Sequence, residues 1–393
     1  MVQGREENGV LILSLEGKID SSNSKAAEAE IRKIYKDSSC EAIEVDCDRL
    51  EYSTSAGLRV LLRLKQDADD VALINVHTEL YNIFEMTGFT EMMEIRKAYR
   101  VFSVDGCEVI GQGANGKVYR IDPDTIVKVY KNPDALPEIS RERELARLAF
   151  VAGVPTAIPY DVVRIEGGGY GSVFELLNAT SYAKLLIRGE KTPEEIAEMS
   201  VSLLKLIHSK EVRSDILPNM RIVAIAWAEF LRDYLPEDCA RKLFELISAV
   251  PADSHLLHGD YHIKNIMQLD DQESLLIDMD TLCHGHPIFE LASIYNAYQG
   301  FGLVDPDEVR AFLGISFETG RILWRRSLEL YLGTREESVV NEVEAKAKVI
   351  GLTRLMRRAI RRSGDDPEKN GKMAEACGAE LRELVPKLDT LVF

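Results

Sequence analysis

GQGANG, at positions 111–116, is followed by KVYRI, a DPDT turn and IVKVY, and this succession constrains the fold more than any other stretch of the chain. Glycines at Gly111, Gly113 and Gly116 fit G-x-G-x-x-G, a pattern that lets a backbone approach phosphate oxygens closely. In a dinucleotide-binding fold the third glycine would open a helix. Two short apolar runs around a Pro/Asp turn predict a β-hairpin instead. A glycine loop leading into a hairpin reads as a flap whose N–H groups cover the phosphates of ATP. Taken alone, the same six residues fit a glycine-rich turn equally well.

Lys128 sits inside the apolar run IVKVY. Strand alternation by itself turns such a lysine to solvent. One strand after a glycine flap, it also stands where a cation is needed for the α- and β-phosphates. The next segment, SRERELARLAF (140–150), predicts a helix carrying Glu142 and Glu144. Either could pair with Lys128 and spacing does not choose between them; Glu144 is preferred here.

HGDYHIKN (258–265) and LLIDMD (275–280) supply the remaining chemistry. Phosphoryl transfer needs a carboxylate to orient and deprotonate an acceptor hydroxyl, which suits Asp260. It also needs oxygen ligands for Mg2+, which the amide of Asn265 and the carboxylate of Asp278 can provide. SLLID predicts a short apolar strand that ends at Asp278. Each residue has an ordinary alternative as a cap, a turn or a strand end. Their order behind a glycine flap and an in-strand lysine argues for the phosphoryl-transfer reading.

The chain of 393 residues changes its grammar near residue 100. Before it, apolar strands (9–17, 42–45, 71–76) alternate with helical periodicity (21–37, 55–66, 78–88), which predicts a small α/β domain. After it, strand-like runs and tight turns dominate to about 178, and helices follow. The expected division is therefore 1–100, 101–178 and 179–393, with no Pro/Gly/Ser-rich linker. A net charge of −17 and a pI near 5.0 oppose nucleic-acid binding. The polar start, MVQGREENG, lacks the apolar core of a signal peptide, and no apolar run approaches the ~18 residues of a membrane span. A cytoplasmic protein with no membrane contact is expected, its six scattered cysteines reduced.

Residues 105–393 resemble the aminoglycoside phosphotransferase and choline kinase-like superfamily, relatives of protein kinases. HGDYHIKN resembles that family's HGD-x-x-x-x-N loop, and LLIDMDTLCHGHPIFELA its metal-binding strand and the segment after it, with Glu290 where aspartate is commoner. LLKLIHS (203–209), containing His208, is similar to the helix before the loop. FELL (174–177) is similar to the hinge between lobes. The resemblance implies a bilobal α+β protein kinase-like fold that binds ATP and Mg2+, with backbone at Glu175 and Leu177 holding adenine. His262 is a further family position that is either catalytic or stabilises the loop.

DCDRLEYSTSAGLRVLL (46–62), together with LEGKID (15–20) and MTGF (86–89), resembles the STAS domain of anti-sigma factor antagonists. That family carries a serine at a helix start that a partner kinase phosphorylates, and Ser55 aligns with it. Thr54 stands where that family has aspartate, and Ala56 where it has a second serine. Ser55 is thus either a phosphosite or the cap of its helix. The STAS-like half implies a protein partner. Arg354, Arg357, Arg358 and Arg361 share one helix face, and in an acidic chain they are expected to pair with carboxylates.

The combined reading is an ATP- and Mg2+-dependent phosphotransferase acting on an unidentified hydroxyl-bearing substrate, behind a regulatory STAS-like α/β domain. Its alternative is a non-catalytic regulatory or scaffold protein whose kinase-like half only binds nucleotide or partners.

Overall fold

The computed structural model describes residues 2–40, 42–113, 115–212, 217–270 and 272–393. Contacts divide the chain into two units, Met1–Gly106 with Val162–Gly171, and Cys107–Asp161 with Ser172–Phe393.

The first unit is built on a five-stranded sheet in the order β1-β2-β3-β4-β5: Val2–Glu7, Val10–Ile19, Ala42–Ser53, Asp70–Val76 and Glu94–Lys97. β1 and β2 form an antiparallel pair, while β2 through β5 run parallel. Parallel neighbours need crossovers, and α1 (Ser24–Asp37), α2 (Ser55–Asp67), α3 (Thr78–Met86) and the short α4 (Phe89–Met92) supply them. Alternation in β3 buries Ile43, Val45 and Cys47. They join Leu11, Leu13, Leu15 and Leu73, and the helices close this core with Ile31, Leu61, Leu64 and Phe84. β6 (Arg100–Phe102) pairs in parallel with β10 (Asp161–Ile165).

Two strands depart from the periodicity. VQGREE is almost wholly exposed, yet it forms β1 because its backbone pairs with β2, Val2 opposite Leu15. β3 continues eight residues past the apolar AIEV. Its polar half is held by β2 beyond an irregularity in register, with Glu16 opposite Arg49 and Lys18 opposite Tyr52.

The cap of α2 lies one residue earlier than the capping reading of Ser55 required. Thr54 is extended (φ −87°, ψ 176°) and its hydroxyl accepts from the Ala56 N–H at 3.3 Å. Ser55 is already the first helical residue and is exposed. Capping needs the extended backbone that Thr54 has and a residue inside the helix lacks.

In the second unit β7 (Glu108–Gln112), β8 (Gly116–Asp122) and β9 (Thr125–Tyr130) form an antiparallel meander. On its other side β9 neighbours β11 (Tyr170–Glu175), and α5 (Leu136–Val151) follows β9 in the chain. Further strands form two small antiparallel sheets. One is β12 (Ala179–Ser181), β14 (Ile266–Leu269) and β15 (Ser274–Leu276), and the other is β13 (Leu256–Leu257) with β16 (Cys283–His284).

The helices are α6 (Tyr182–Ile187), α7 (Pro193–His208), α8 (Met220–Phe230), α9 (Glu237–Ser248), α10 (Ile288–Tyr298), α11 (Asp307–Leu313), α12 (Phe317–Leu332), α13 (Glu337–Arg361) and α14 (Pro367–Leu384). α10 is buried at all eleven positions, including Glu290, Ser293 and Asn296, whose side chains are spent on backbone hydrogen bonds. It packs against α12 and α13 around Tyr295 and Trp324. Among the described residues no helix is long and apolar enough to cross a membrane.

The cap assignment predicts that Thr54→Ala lowers the opening free energy of the α2 amides by about 1 kcal/mol, while Ser55→Ala changes it by less than about 0.5 kcal/mol. Native-state hydrogen exchange reads both, and equal effects would return the cap to Ser55.

Candidate active site

The antiparallel register sets Lys128 opposite Val118, with Val127 fully buried beside it. Its ammonium is not given to solvent. Nζ donates to Oε1 and Oε2 of Glu142 at 2.8 and 3.1 Å and to Oδ1 of Asp278 at 2.8 Å. Burial opposes the charge on Lys128, but Asp278 and Glu142 outweigh it, and the pKa rises above the usual lysine value. Tyr130, two residues along the same strand face, donates to Oε2 of Glu142 and lies 3.2 Å from the Ser172 hydroxyl.

The expected partner Glu144 is therefore corrected to Glu142. On α5, Ile139, Glu142, Ala146 and Ala149 form the buried stripe, whereas Glu144 is exposed. Two residues along a helix turn a side chain about 200° away, so only one of the two glutamates can face β9.

Gly116 opens β8 with no room for a side chain, since a Cβ there would run into the Val129 carbonyl of the next strand. Gly111 and Gly113 meet no such obstacle. The Gly113 N–H donates to the Gly116 carbonyl at 3.0 Å and closes the loop, whose Ala114 lies outside the described residues. Asn115 Nδ2 donates to Oδ2 of Asp280 at 3.0 Å and ties the glycine loop to the segment after β15.

That segment begins two residues past the end of β15, not at the strand end expected for Asp278. Asp278 is left-handed (φ 66°, ψ 65°), a conformation that costs a non-glycine residue about 1–2 kcal/mol and recurs at functional sites. Met279–Thr281 then form one 3₁₀ turn. Burial first, and the negative charge of Asp278 second, push the Asp280 carboxyl up to about 6.

The loop 258–265 is scaffolded from beneath. Glu290, fully buried on α10, accepts from the His258 N–H and, at 3.1 Å, from the Gly259 N–H. Gly259 has φ +82°, and a Cβ there would collide with the Thr281 carbonyl. Its own carbonyl accepts from Ser293 Oγ at 3.0 Å and Arg354 Nη1 at 3.2 Å. Thr281 Oγ1 donates to the His258 carbonyl at 2.8 Å. His258 is assigned with its proton on Nε2, facing the Ile277 carbonyl at 3.2 Å, while Nδ1 accepts from the Asp260 N–H.

Asp260 keeps 42% of its side chain exposed, and His262 Nε2 lies 3.4 Å from its Oδ2. Burial raises its pKa, but the His262 contact, with His258 and the Arg354 guanidinium nearby, overrides this and holds it at about 2. Asn265 is buried, with Nδ2 donating to the Asp260 carbonyl at 3.0 Å. Its backbone carbonyl accepts from the Ile277 N–H at 3.0 Å, which joins the 258–265 loop to the strand leading to Asp278.

The fold thus gathers Lys128, Asp260, Asn265 and Asp278 onto adjoining segments. It does not draw in Glu144, and no side-chain hydrogen bond or ion pair shown among the described residues links Glu175 or Leu177 to this group. Glu175 is exposed at the end of β11, and the Leu176 N–H between them donates to the Asp124 carbonyl at 2.8 Å. The sequence reading gave no site role to Asp280, Asn115 or Arg354, although Asp280 lies in LLIDMD, Asn115 in GQGANG and Arg354 on the arginine face of its helix.

The arginines of α13 also depart from expectation. Arg354 lies over Trp227, Arg357 over Phe230 and Arg358 over Phe301, at 5.4–5.7 Å from the ring centroids. Among the described residues these three and Arg361 make no ion pair with a carboxylate. Planar guanidinium groups stack on aromatic faces, and that is what the packing of α13 offers them.

A model of the phosphotransferase enzyme family matches residues 106–328, and a model of the STAS domain matches residues 2–101. The chain belongs to the phosphotransferase enzyme family and carries a STAS domain ahead of the phosphotransferase domain. The first part is similar to a protein described as an anti-sigma factor antagonist from Bordetella bronchiseptica, 32% identical over 92 residues, which span 22% of this chain and 78% of the relative. The anti-sigma F factor antagonist of Paenibacillus polymyxa is 24% identical over 98 residues, 24% of this chain and 84% of the relative.

Among solved structures, the streptomycin–ATP complex of APH(2″)-IIa is 16% identical, with a TM-score of 0.46 over 74% of this chain and 94% of that one. A thermostable mutant of aminoglycoside phosphotransferase APH(4)-Ia with ADP and hygromycin B is 13% identical, with a TM-score of 0.48 over 71% and 94%.

Removing Glu142 strands a buried ammonium with only Asp278 to hold it. Glu142→Ala should cost about 3 kcal/mol of stability, the low end for breaking a buried pair, while Glu144→Ala should stay within about 0.5 kcal/mol. Urea denaturation of the two variants compares them directly, and a larger cost for Glu144→Ala would reverse the assignment.

Proposed function

We propose that the chain transfers the γ-phosphoryl group of ATP to a hydroxyl acceptor in a Mg2+-dependent reaction, with residues 101–178 and 179–393 as its two lobes. The observation that carries this reading is the buried ammonium of Lys128, shared between Glu142 and Asp278, beside a loop that presents Asp260 and Asn265.

In this reading Lys128 Nζ faces the α- and β-phosphates, and Glu142 keeps it extended from β9. The N–H groups of the Gly111–Gly116 loop cover the phosphates, and backbone at Glu175 and Leu177 holds adenine. Asp260 orients the acceptor hydroxyl and takes its proton, a role suited to a carboxylate that stays ionised and half exposed.

The donor set fits Mg2+. Asn265 spends its amide nitrogen on Asp260 and has its oxygen to offer, and Asp278 has a second carboxylate oxygen beyond the one facing Lys128. Among the described residues no three His, Cys, Asp or Glu side chains form a metal cage. One or two oxygen ligands completed by phosphates and water are what Mg2+ uses in such sites. When bound, Mg2+ would neutralise charge on the β- and γ-phosphates as it moves to the leaving group.

The STAS domain is proposed to take a protein partner, with Ser55 as a phosphosite, since its hydroxyl is exposed and not spent on the α2 cap. A phosphate there would sit at a helix N-terminus, where the dipole favours negative charge.

Three variants test the enzymatic reading. Lys128→Ala should weaken ATP binding in calorimetry, and Asp278→Ala should remove the part of that binding that depends on Mg2+. Asp260→Asn should bind ATP as the wild type does yet transfer ~10²–10⁴-fold more slowly. Transfer at the wild-type rate in Asp260→Asn would put the base elsewhere. For Ser55, mass spectrometry of protein from its native cells should find phosphate at that residue, and its absence under all growth conditions would remove the phosphosite.

A further inference from the structure

We propose that Tyr130 is a positioning residue for the nucleotide phosphates: its hydroxyl, backed by Ser172, fixes Glu142 so that Glu142 holds Lys128 once Asp278 serves the metal. The inference rests on the phosphotransferase reading and adds to it what keeps the phosphate-binding ammonium in place.

Lys128 is shared between carboxylates from two separate segments, Glu142 on α5 and Asp278 after β15. In the proposed reaction Asp278 is a metal ligand, so Glu142 is the carboxylate that has to match the buried charge throughout. Its grip on the ammonium is only as firm as its own anchorage. Among the described residues the Tyr130 hydroxyl is the hydrogen-bond donor to Glu142 besides Lys128 itself.

Tyr130 lies two residues past Lys128 on the same face of β9, and the neighbouring strand β11 carries Ser172. Tyr130, Ser172 and Glu142 are all buried. The Tyr130 O–H donates to Oε2 of Glu142, the oxygen that also accepts from Nζ at 3.1 Å. A phenol has one proton, and this one is spent on the carboxylate, so the Ser172 O–H donates to the Tyr130 oxygen at 3.2 Å. Burial pushes the phenol above its usual pKa against the pull of Lys128, and it keeps that proton. Nζ of Lys128 also lies over the Tyr130 ring, 5.3 Å from its centroid. The relay runs from Ser172 on β11 through Tyr130 on β9 to Glu142 on α5, and ends on Lys128. Hydrogen bonds to a buried charge are the strong ones, so deleting the hydroxyl frees Glu142 to turn and leaves Lys128 to Asp278.

The test uses the full chain, titrated with Mg–ATP in a calorimeter. Tyr130→Phe keeps the ring and deletes the hydroxyl, and it should bind Mg–ATP about tenfold more weakly while still unfolding cooperatively in urea. Ser172→Ala should weaken binding by a smaller factor. A double-mutant cycle with Glu142→Gln tells this role from simple ring packing. If the hydroxyl acts through Glu142, removing it should matter less than about twofold once the carboxylate is gone, whereas general loosening of β9 would multiply the two losses. Tyr234→Phe, exposed and outside the site, should bind as the wild type does. Wild-type affinity in Tyr130→Phe, or losses that multiply in the double variant, would overturn the proposal. Should Tyr130→Phe fail to fold, Ser172→Ala decides, and wild-type affinity there overturns it equally. Failure of the wild type to bind Mg–ATP is a separate result, which sinks the nucleotide reading and this inference with it.

Discussion

An ammonium held out of water between two carboxylates is the contact on which the second unit's chemistry depends. A buried lysine is tolerated only when its charge is matched, because desolvating it costs several kcal/mol. Lys128 has that match in Glu142, fourteen residues away, and in Asp278, one hundred and fifty away. Three segments must therefore arrive together: β9 in register with β8, α5 with its buried stripe inward, and the turn after β15 in a left-handed conformation. One cation and two carboxylates leave negative charge in excess, and burial first, with that charge second, raises the pKa of Asp280 beside them.

A second buried charge shapes the loop that carries Asp260. Glu290 projects from the fully buried α10 and binds the N–H groups of His258 and Gly259, so the most deeply packed helix of the unit fixes the backbone just before Asp260. Arg354 and Ser293 hold the Gly259 carbonyl from the other side. Bonds to charged groups are stronger and more directional than neutral ones, which is why this short stretch can hold a left-handed glycine and an exposed carboxylate in one geometry. The Glu290 side chain is long enough to reach both amides.

In the first unit backbone pairing does work that side-chain pattern does not advertise. β1 and the second half of β3 are polar and exposed, and both are strands because β2 offers them hydrogen-bonding edges. The junction of β3 and α2 shows the same economy, with Thr54 turning the chain, capping the helix and leaving Ser55 exposed.

The sequence by itself determined the elements whose side chains announce them. Alternating apolar strands and amphipathic helices gave the α/β half, and a Pro/Asp turn between apolar runs gave the β8–β9 hairpin. The spacing of HGDYHIKN and LLIDMD marked Asp260, Asn265 and Asp278 as residues to watch, because short-range spacing is a local property of the chain. Partners were another matter. Glu142 and Glu144 differ only in which way α5 is rotated, and its scattered charges hide that rotation. Thr54 and Ser55 differ by one backbone conformation. The α13 arginines met aromatic rings from α8 and from residue 301, elements that no local window joins to them. Which side chain meets which is decided when distant segments pack and buried charges must be matched, so those assignments belonged to the tertiary structure alone.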